Sequence, residues 1–398
     1  MFSRWFRKPR IYLDCAAATP LGVAARRALR KAEEISYFGN PSSIHTEGRE
    51  AKKLLEAVRG EIARLLEVHE DELVFTSGGT ESDNLAILGV GRAYREKGLT
   101  HGVTSVIEHA AVLESFRALE KEGGVVSRLS PNEHGYVSEA AVQSVLTPET
   151  LLVSIGLVNS ELGSIAPIRK ISNILKKYKA SLGRSDKEAP FLHTDASQAA
   201  TLLSVRPHDL GVDLMTLDAA KLYGPKGIGL LFVQRGLMLT SQVIGGGQER
   251  GRRAGTESVS LVAAFGAALA EAVMLRDGET KRMEQLNQYA RKQIAANLPL
   301  VLFNTVPEAA LPSYINICIP GVDAEFLSVE LDAQGVAVSS ASACRSISGE
   351  GSSYVLKAIP GKAACASSSL RITFGRDTTM REIDICIETI AALVAAKK

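Results

Sequence analysis

The chain has 398 residues, more than one simple core absorbs, so two domains are expected. Apolar residues make up 45% and charged residues 23%, the balance of a soluble globular enzyme, and a net charge of +2 gives no reason to expect a nucleic-acid partner. The first ten residues, MFSRWFRKPR, are basic throughout, with Arg4, Arg7, Lys8 and Arg10. They lack the apolar stretch and cleavage site of a secretory signal, and an ordered pattern resumes at Ile11, so a short basic arm is the reading here. No apolar run approaches the ~18 residues of a membrane helix, so no membrane is expected. Cys15, Cys318, Cys344, Cys365 and Cys386 are scattered and odd in number, without a C-x-x-C pair. That pattern argues against zinc and against a disulfide framework, and favours a reducing cytoplasm.

From residue 46 to 67, Ala51, Leu54, Leu55, Val58, Ile62, Leu65 and Leu66 recur at helical spacing and predict an amphipathic helix. Short apolar runs then alternate with helix-like stretches. The runs are LVF (73–75), VTSVI (103–107), LLVSIGLV (151–158), FLH (191–193), VDLMTL (212–217) and IGLLFV (228–233). This is the pattern of a mostly parallel sheet covered on both faces. Residues 180–190 read as a polar surface loop, and a long amphipathic stretch, 259–298, as the bridge to a second, α+β unit that holds YINICI, SLRITF and a closing helix from about residue 379.

In open α/β sheets ligands sit beyond the carboxyl ends of the strands. Five such ends here carry polar groups: TSGGTESDN after LVF, Glu108-His109, Asn159, Asp195 with Gln198, and Asp218 followed by Lys221. Each group has an ordinary use. TSGGTES could be a plain helix start, Asp195 a helix cap, His109 a satisfied buried histidine and Lys221 a solvated surface lysine. Read together, a phosphate cradle, a carboxylate, an aromatic base and a lysine are what pyridoxal 5'-phosphate requires.

In this order DASQ, KLYGPKG, RRAGT and SSASACRS, with FGNPSSIH, TSGGTESDNLA, EHAAV, VNSELG and SLRITFGR, are motifs through which the chain resembles the cysteine desulfurases, fold-type I pyridoxal phosphate enzymes of the class V aminotransferase group. The likeness runs from about Ile11 to the C-terminus, and the long serine-rich stretch around Cys344 is similar to the subgroup with an extended cysteine loop. The resemblance implies an α/β large domain of residues 17–260. It also implies a small domain of 1–16 and 261–398 that carries the cysteine loop, 339–353. It further implies roles. Lys221 would hold the cofactor as a Schiff base, Asp195 pair with its pyridine nitrogen, His109 stack on the ring, and Gln198 face the phenolic oxygen. Thr80, beside Gly79, would hold the phosphate, and Thr256 would reach the phosphate of a partner subunit, so a homodimer is implied. Asn159 and Arg371 would grip the carboxylate of L-cysteine, and Cys344 would take its sulfur for a sulfur-acceptor protein.

The chain departs from the family pattern at two positions near the phosphate. Asp218 and Ala220 stand where a serine and a histidine are usual. Two unit charges ~4 Å apart at an effective dielectric of ~20 repel by about 4 kcal/mol. Asp218 is therefore expected to turn away, to be protonated, or to be shielded by Arg252 or Arg253. A relative kept as a binding or scaffold protein, and a selenocysteine lyase-like enzyme, are the alternatives to an active desulfurase.

Overall fold

The computed structural model describes residues 10–33, 38–340 and 352–397. The basic arm up to residue 9 and Cys344 lie outside the described residues.

The chain opens with strand β1 (Ile11–Tyr12), helix α1 (Val23–Glu33) and helix α2 (Thr46–Leu66). In α2 the residues Ala51, Leu55, Val58, Ile62 and Leu66 form one buried stripe. His45 caps its start by accepting from the Gly48 N–H, and Glu67 ends it in the left-handed region, φ 56°.

The central sheet follows in chain order, with a helix after each strand from β2 to β6. It contains β2 (Leu73–Thr76), α3 (Gly79–Tyr94), β3 (His101–Ser105), α4 (Ala110–Lys121), β4 (Val125–Leu129), α5 (Glu139–Gln143), β5 (Thr150–Ser154), α6 (Ile168–Ser181), β6 (Phe191–Asp195), α7 (Pro207–Leu210), β7 (Leu214–Asp218) and β8 (Gly229–Val233). The seven strands lie in the order β2-β8-β7-β6-β5-β3-β4. All neighbours pair in parallel except β8, which runs antiparallel to both β2 and β7. Strands β2, β3, β5 and β8 are buried at every position, which is why they read as continuous apolar or small-residue runs. The six apolar runs of the sequence all fall in this sheet. The edge strand β4 escaped the sequence reading because Val125 and Arg128 are exposed and the run is broken.

Helix α8 (Val259–Asn297) leads to the second sheet. Among the described residues it is the one helix long and apolar enough, by length and composition, to cross a membrane, which overturns the expectation that no stretch approaches that size. Half of its apolar stretch is buried. Val262, Phe265 and Leu269 enter the main core, and α8 packs along α1 and α2.

The remaining elements are β9 (Leu302–Phe303), β10 (Tyr314–Cys318), α9 (Ala324–Ala333), β11 (Val336–Ala337), β12 (Ser339–Ser340), α10 (Tyr354–Ala358), β13 (Ser369–Thr373) and α11 (Met380–Ala395). They form a four-stranded sheet in the order β12-β13-β10-β9. Residues 11–16 bind to this unit: β1 pairs with β11, Asp14 bridges to Thr373, and the Ala16 N–H donates to Thr373 Oγ1 at 3.0 Å. The chain then passes on to the strand ends of the large sheet.

One expectation about the cysteines fails. Cys318, at the end of β10, is disulfide-bonded to Cys365, 47 residues later, with Cα atoms 5.4 Å apart. Spacing hid the pair because β10 and the turn at Cys365 are brought together only by the fold. The cysteine pattern therefore no longer argues for a reducing compartment. Cys386 is buried and free, and burial pushes its thiol up to about 12.

Candidate active site

Strands β2, β3, β5, β6 and β7 all present their carboxyl ends to one edge of the sheet, and a cavity of about 270 Å³ opens there. Its lining includes Gly79, Thr80, His109, Asn159, Asp195, Gln198, Asp218, Lys221 and Arg371, nine of the residues singled out in the sequence. Thr256 lies outside the cavity and is exposed.

Lys221 sits in a short 3-10 turn, Ala219–Lys221, directly after β7. Its Nζ donates to the carbonyls of Ala16, at 3.1 Å, and Ala17. It is half-buried, and the N-terminal segment covers it. Asp195 ends the neighbouring strand β6 and accepts from the Ser197 N–H at 2.9 Å.

Helix α3 begins at this edge. Its N-cap is Gly78, at φ 153°, a conformation that favours glycine, and glycine has no side chain to cap the first turn. With Gly79 and Thr80 in the lining, the helix offers N–H groups and a hydroxyl to an anion.

His109 caps α4, its Nδ1 accepting from the Ala111 N–H at 3.2 Å. This bond occupies one ring nitrogen and makes Nε2 the proton-bearing atom of the neutral ring. Asn159 is engaged at both ends of its amide. Nδ2 donates to the Ile107 carbonyl at 2.9 Å, and Oδ1 accepts from the N–H groups of Glu161 and Leu162. One amide N–H is left for a ligand. Arg371, on β13, donates through Nη1 to the Ser160 carbonyl and through Nη2 to Asp14 Oδ1, both at 2.7 Å.

The arginine shield expected for Asp218 is absent. Arg253 is bound to Glu81 at 2.8 Å, and Arg252 donates to the Asp71 carbonyl at 2.9 Å. Asp218 instead turns one oxygen toward its own chain, where Oδ1 accepts from the Ala220 N–H at 2.9 Å. A Cβ at Gly79 would stand 3.5 Å from Asp218 Oδ2 and 3.3 Å from Ser197 Oγ, so the glycine is not required for space.

Two further carboxyls line the cavity, and burial favours the uncharged form of both. Asp83 is fully buried; that burial and the nearby Asp195 raise it well above the usual carboxylate range. Its neighbour His193, 3.7 Å away, is pushed down by burial to about 4. Glu108 is pushed up to about 8 by burial, although it accepts from the Gly156 N–H at 2.9 Å. Gly156 allows that contact, since a Cβ there would stand 2.8 Å from Glu108 Oε2.

Sequence reasoning did not assign Asp14, Asp83, Glu161 or Tyr314. Asp14 had a visible signal, a lone acid within the apolar run that opens the chain. The others sit on a helix (Asp83), in a turn (Glu161) and on a strand (Tyr314), with neighbours that are far away in sequence. Among the described residues no group of three His, Cys, Asp or Glu side chains could hold a metal ion.

The residues fit pyridoxal phosphate: a lysine amine and a carboxylate at adjacent strand ends, an aromatic ring, and an uncapped helix start. The class-V aminotransferase family model matches residues 11–386. A relative named cysteine desulfurase IscS, from Dictyoglomus turgidum, is 38% identical over 387 residues, covering 97% of this chain and 95% of the relative. A cysteine desulfurase from Homo sapiens is 37% identical over 381 residues, covering 95% and 80%. Among solved structures, a NifS-like protein superposes with a TM-score of 0.88 at 29% identity, covering 97% of this chain and all of that one. A structure of SspA in complex with cysteine gives a TM-score of 0.76 at 31% identity, over 92% and 98%. With its cavity, its fold and these likenesses in agreement, the chain belongs to the class-V aminotransferase family of pyridoxal phosphate enzymes.

Proposed function

We propose that the protein is a cysteine desulfurase that converts L-cysteine to L-alanine and leaves the sulfur as a persulfide on Cys344. The observation that carries this reading is the placement of Lys221 and Asp195 at adjacent strand ends of one cavity, with Arg371 on its wall. When bound, the cofactor supplies an electron sink for the charge left at Cα. The protein groups do the rest. Arg371, oriented by Asp14 and the Ser160 carbonyl, holds the substrate carboxylate, with the remaining Asn159 N–H beside it. Lys221 would hold the cofactor and its amine would move the α-proton. Asp195 would face the pyridine nitrogen, and Thr80 with the α3 N-terminus would hold the phosphate. The Cys344 thiolate attacks the substrate sulfur. The C–S bond breaks, a proton goes to the carbon, and L-alanine leaves.

Cys344 lies outside the described residues.

The persulfide is then passed to an acceptor protein, for iron–sulfur cluster assembly or thiolation, in the cytoplasm. The enzyme acts as a homodimer, with Thr256 reaching the partner's phosphate site. In support, the segments around residues 38–45 and 243–256 border one cleft and expose Phe38, Ile44 and Ile244. No observation favours a scaffold role or a selenocysteine lyase-like activity over the desulfurase reading.

The purified protein should be yellow. Lys221→Ala should lose the visible band of the lysine-bound cofactor. Cys344→Ala should keep the band and lose sulfide production from L-cysteine by 100-fold or more, on the order of a missing nucleophile. A colourless parent that pyridoxal phosphate does not reconstitute would refute the reading.

A further inference from the structure

Tyr314 opens β10, and its side chain is buried at 3% exposure. Its hydroxyl donates to Gln198 Oε1 at 2.7 Å. On the other side, Gln198 Nε2 donates to the Ala16 carbonyl at 2.9 Å. A carbonyl oxygen only accepts, so the nitrogen end of the amide must face Ala16 and the oxygen end must face the phenol. The same Ala16 carbonyl receives Lys221 Nζ at 3.1 Å. A hydrogen-bonded chain thus joins β10 of the second sheet, through Gln198 and the N-terminal segment, to the lysine of the first. Burial raises the Tyr314 phenol above its ordinary value, so it remains a donor across the working pH range.

The two bonds use the amide oxygen and one N–H. The second N–H is the only group Gln198 has left to give, and this side chain lines the cavity.

We propose that Tyr314 is a positioning residue, which locks the Gln198 amide so that it meets the cofactor's phenolic oxygen as a donor and never as an acceptor. The proposal rests on the functional reading above. Without the Tyr314 hydroxyl the amide keeps a single anchor, the Nε2 bond to the Ala16 carbonyl, and it can rotate about that bond so that its remaining N–H no longer points steadily at the phenolic oxygen. A locked donor favours the charged phenolate. Losing it moves the phenolate's ionisation, and the visible transition coupled to it, to higher pH. The charged or titratable groups near the phenol are Arg371, Asp14 and Cys15, and those along the cavity wall are Lys221, Asp195, His109, Asp83, Glu108, Asp218 and Tyr136. All of them are still present when one hydroxyl is removed.

The test is a pH titration of the visible band of the cofactor-loaded protein. Tyr314→Phe should shift the transition upward by about half a unit to one unit. Gln198→Leu should shift it by as much or more, and the double variant should match Gln198→Leu alone, because Tyr314 acts only through the amide. Thermal unfolding of each variant separates a packing loss from the spectroscopic effect. An unmoved transition in Tyr314→Phe, or shifts that add in the double variant, would overturn the proposal while leaving the functional reading intact. A parent with no cofactor band would refute both.

Discussion

Glu161 shows how a single buried group couples the site to pH. Its Oε1 accepts from the Ser353 hydroxyl, and Ser353 caps α10 through the Leu356 N–H. Burial pushes Glu161 up to about 7, more than the nearby Arg371 and the Ser353 bond pull it down. The folded-state value lies above the unfolded value of 4.5. Its contribution to stability is therefore intact below about pH 4.5 and lost as pH rises through about 7. Glu161→Gln keeps an acceptor and carries no charge. It should unfold at the same temperature as the parent near pH 4.5, and be more stable at pH 8.5 by on the order of 3 kcal/mol. A stability difference that does not change with pH would refute this. Asp218 bonds through Oδ1 to the Ala220 N–H of its own turn, while its Oδ2 stays beside Gly79 on the cavity wall. The sequence set the problem of a carboxylate beside a phosphate cradle, and only the coordinates show which of its two oxygens is tied back.

At the scale of elements, the loop that carries Thr256 is held by one buried ion pair. Glu249 and Arg250 both lie in the left-handed region, φ 47° and 58°, where residues with side chains are uncommon. Glu249 accepts two bonds from Arg59 of α2, at 2.7 and 3.0 Å, and one from the Phe75 N–H of β2 at 2.9 Å. Arg59 also donates to the Leu73 carbonyl and lies over the Phe75 ring. These bonds tie the loop to both a helix and the edge of the sheet. Removing Glu249 leaves the buried Arg59 with only the partly exposed Glu56, 3.3 Å from its Nε, as a charge partner. Glu249→Ala should cost about 3–5 kcal/mol of stability, measured by chemical denaturation, whereas replacing both partners by apolar residues should restore much of the loss. The pair was invisible in the sequence because 190 positions separate its members. Helix α2 itself was legible, since its buried stripe is a local, periodic pattern.

At the scale of the whole molecule, the surface around that loop is where the proposed homodimer would close. Ile244 is 93% exposed and Ile44 is 89% exposed, on segments that border the same cleft. Large apolar side chains left open beside a functional loop mark an interface. Ile244→Asp should convert the dimer to a monomer in analytical ultracentrifugation and weaken cofactor binding with it. A monomeric parent, or a variant dimer of undiminished stability, would refute this arrangement. The disulfide between Cys318 and Cys365 belongs to the same scale, because it joins a strand to a turn that only the folded chain brings together.

The sequence alone determined the alternation of buried strands and helices and the polar groups that follow each strand, because those patterns are local and repeat along the chain. Six of the seven strands of the large sheet could be read from it. Strand β4 could not, since an edge strand has one face in water and no continuous apolar run. The candidate site residues were legible because parallel strands all deliver their carboxyl ends to one edge. Only the tertiary structure decided which way each polar atom points. The Tyr314–Gln198–Ala16 chain, the Asp14–Arg371 pair and the Arg59–Glu249 clamp are bonds between distant segments. Hydrogen bonds act over about 3 Å, so they carry no signature in a pattern of residue types and exist only once packing has fixed the distances.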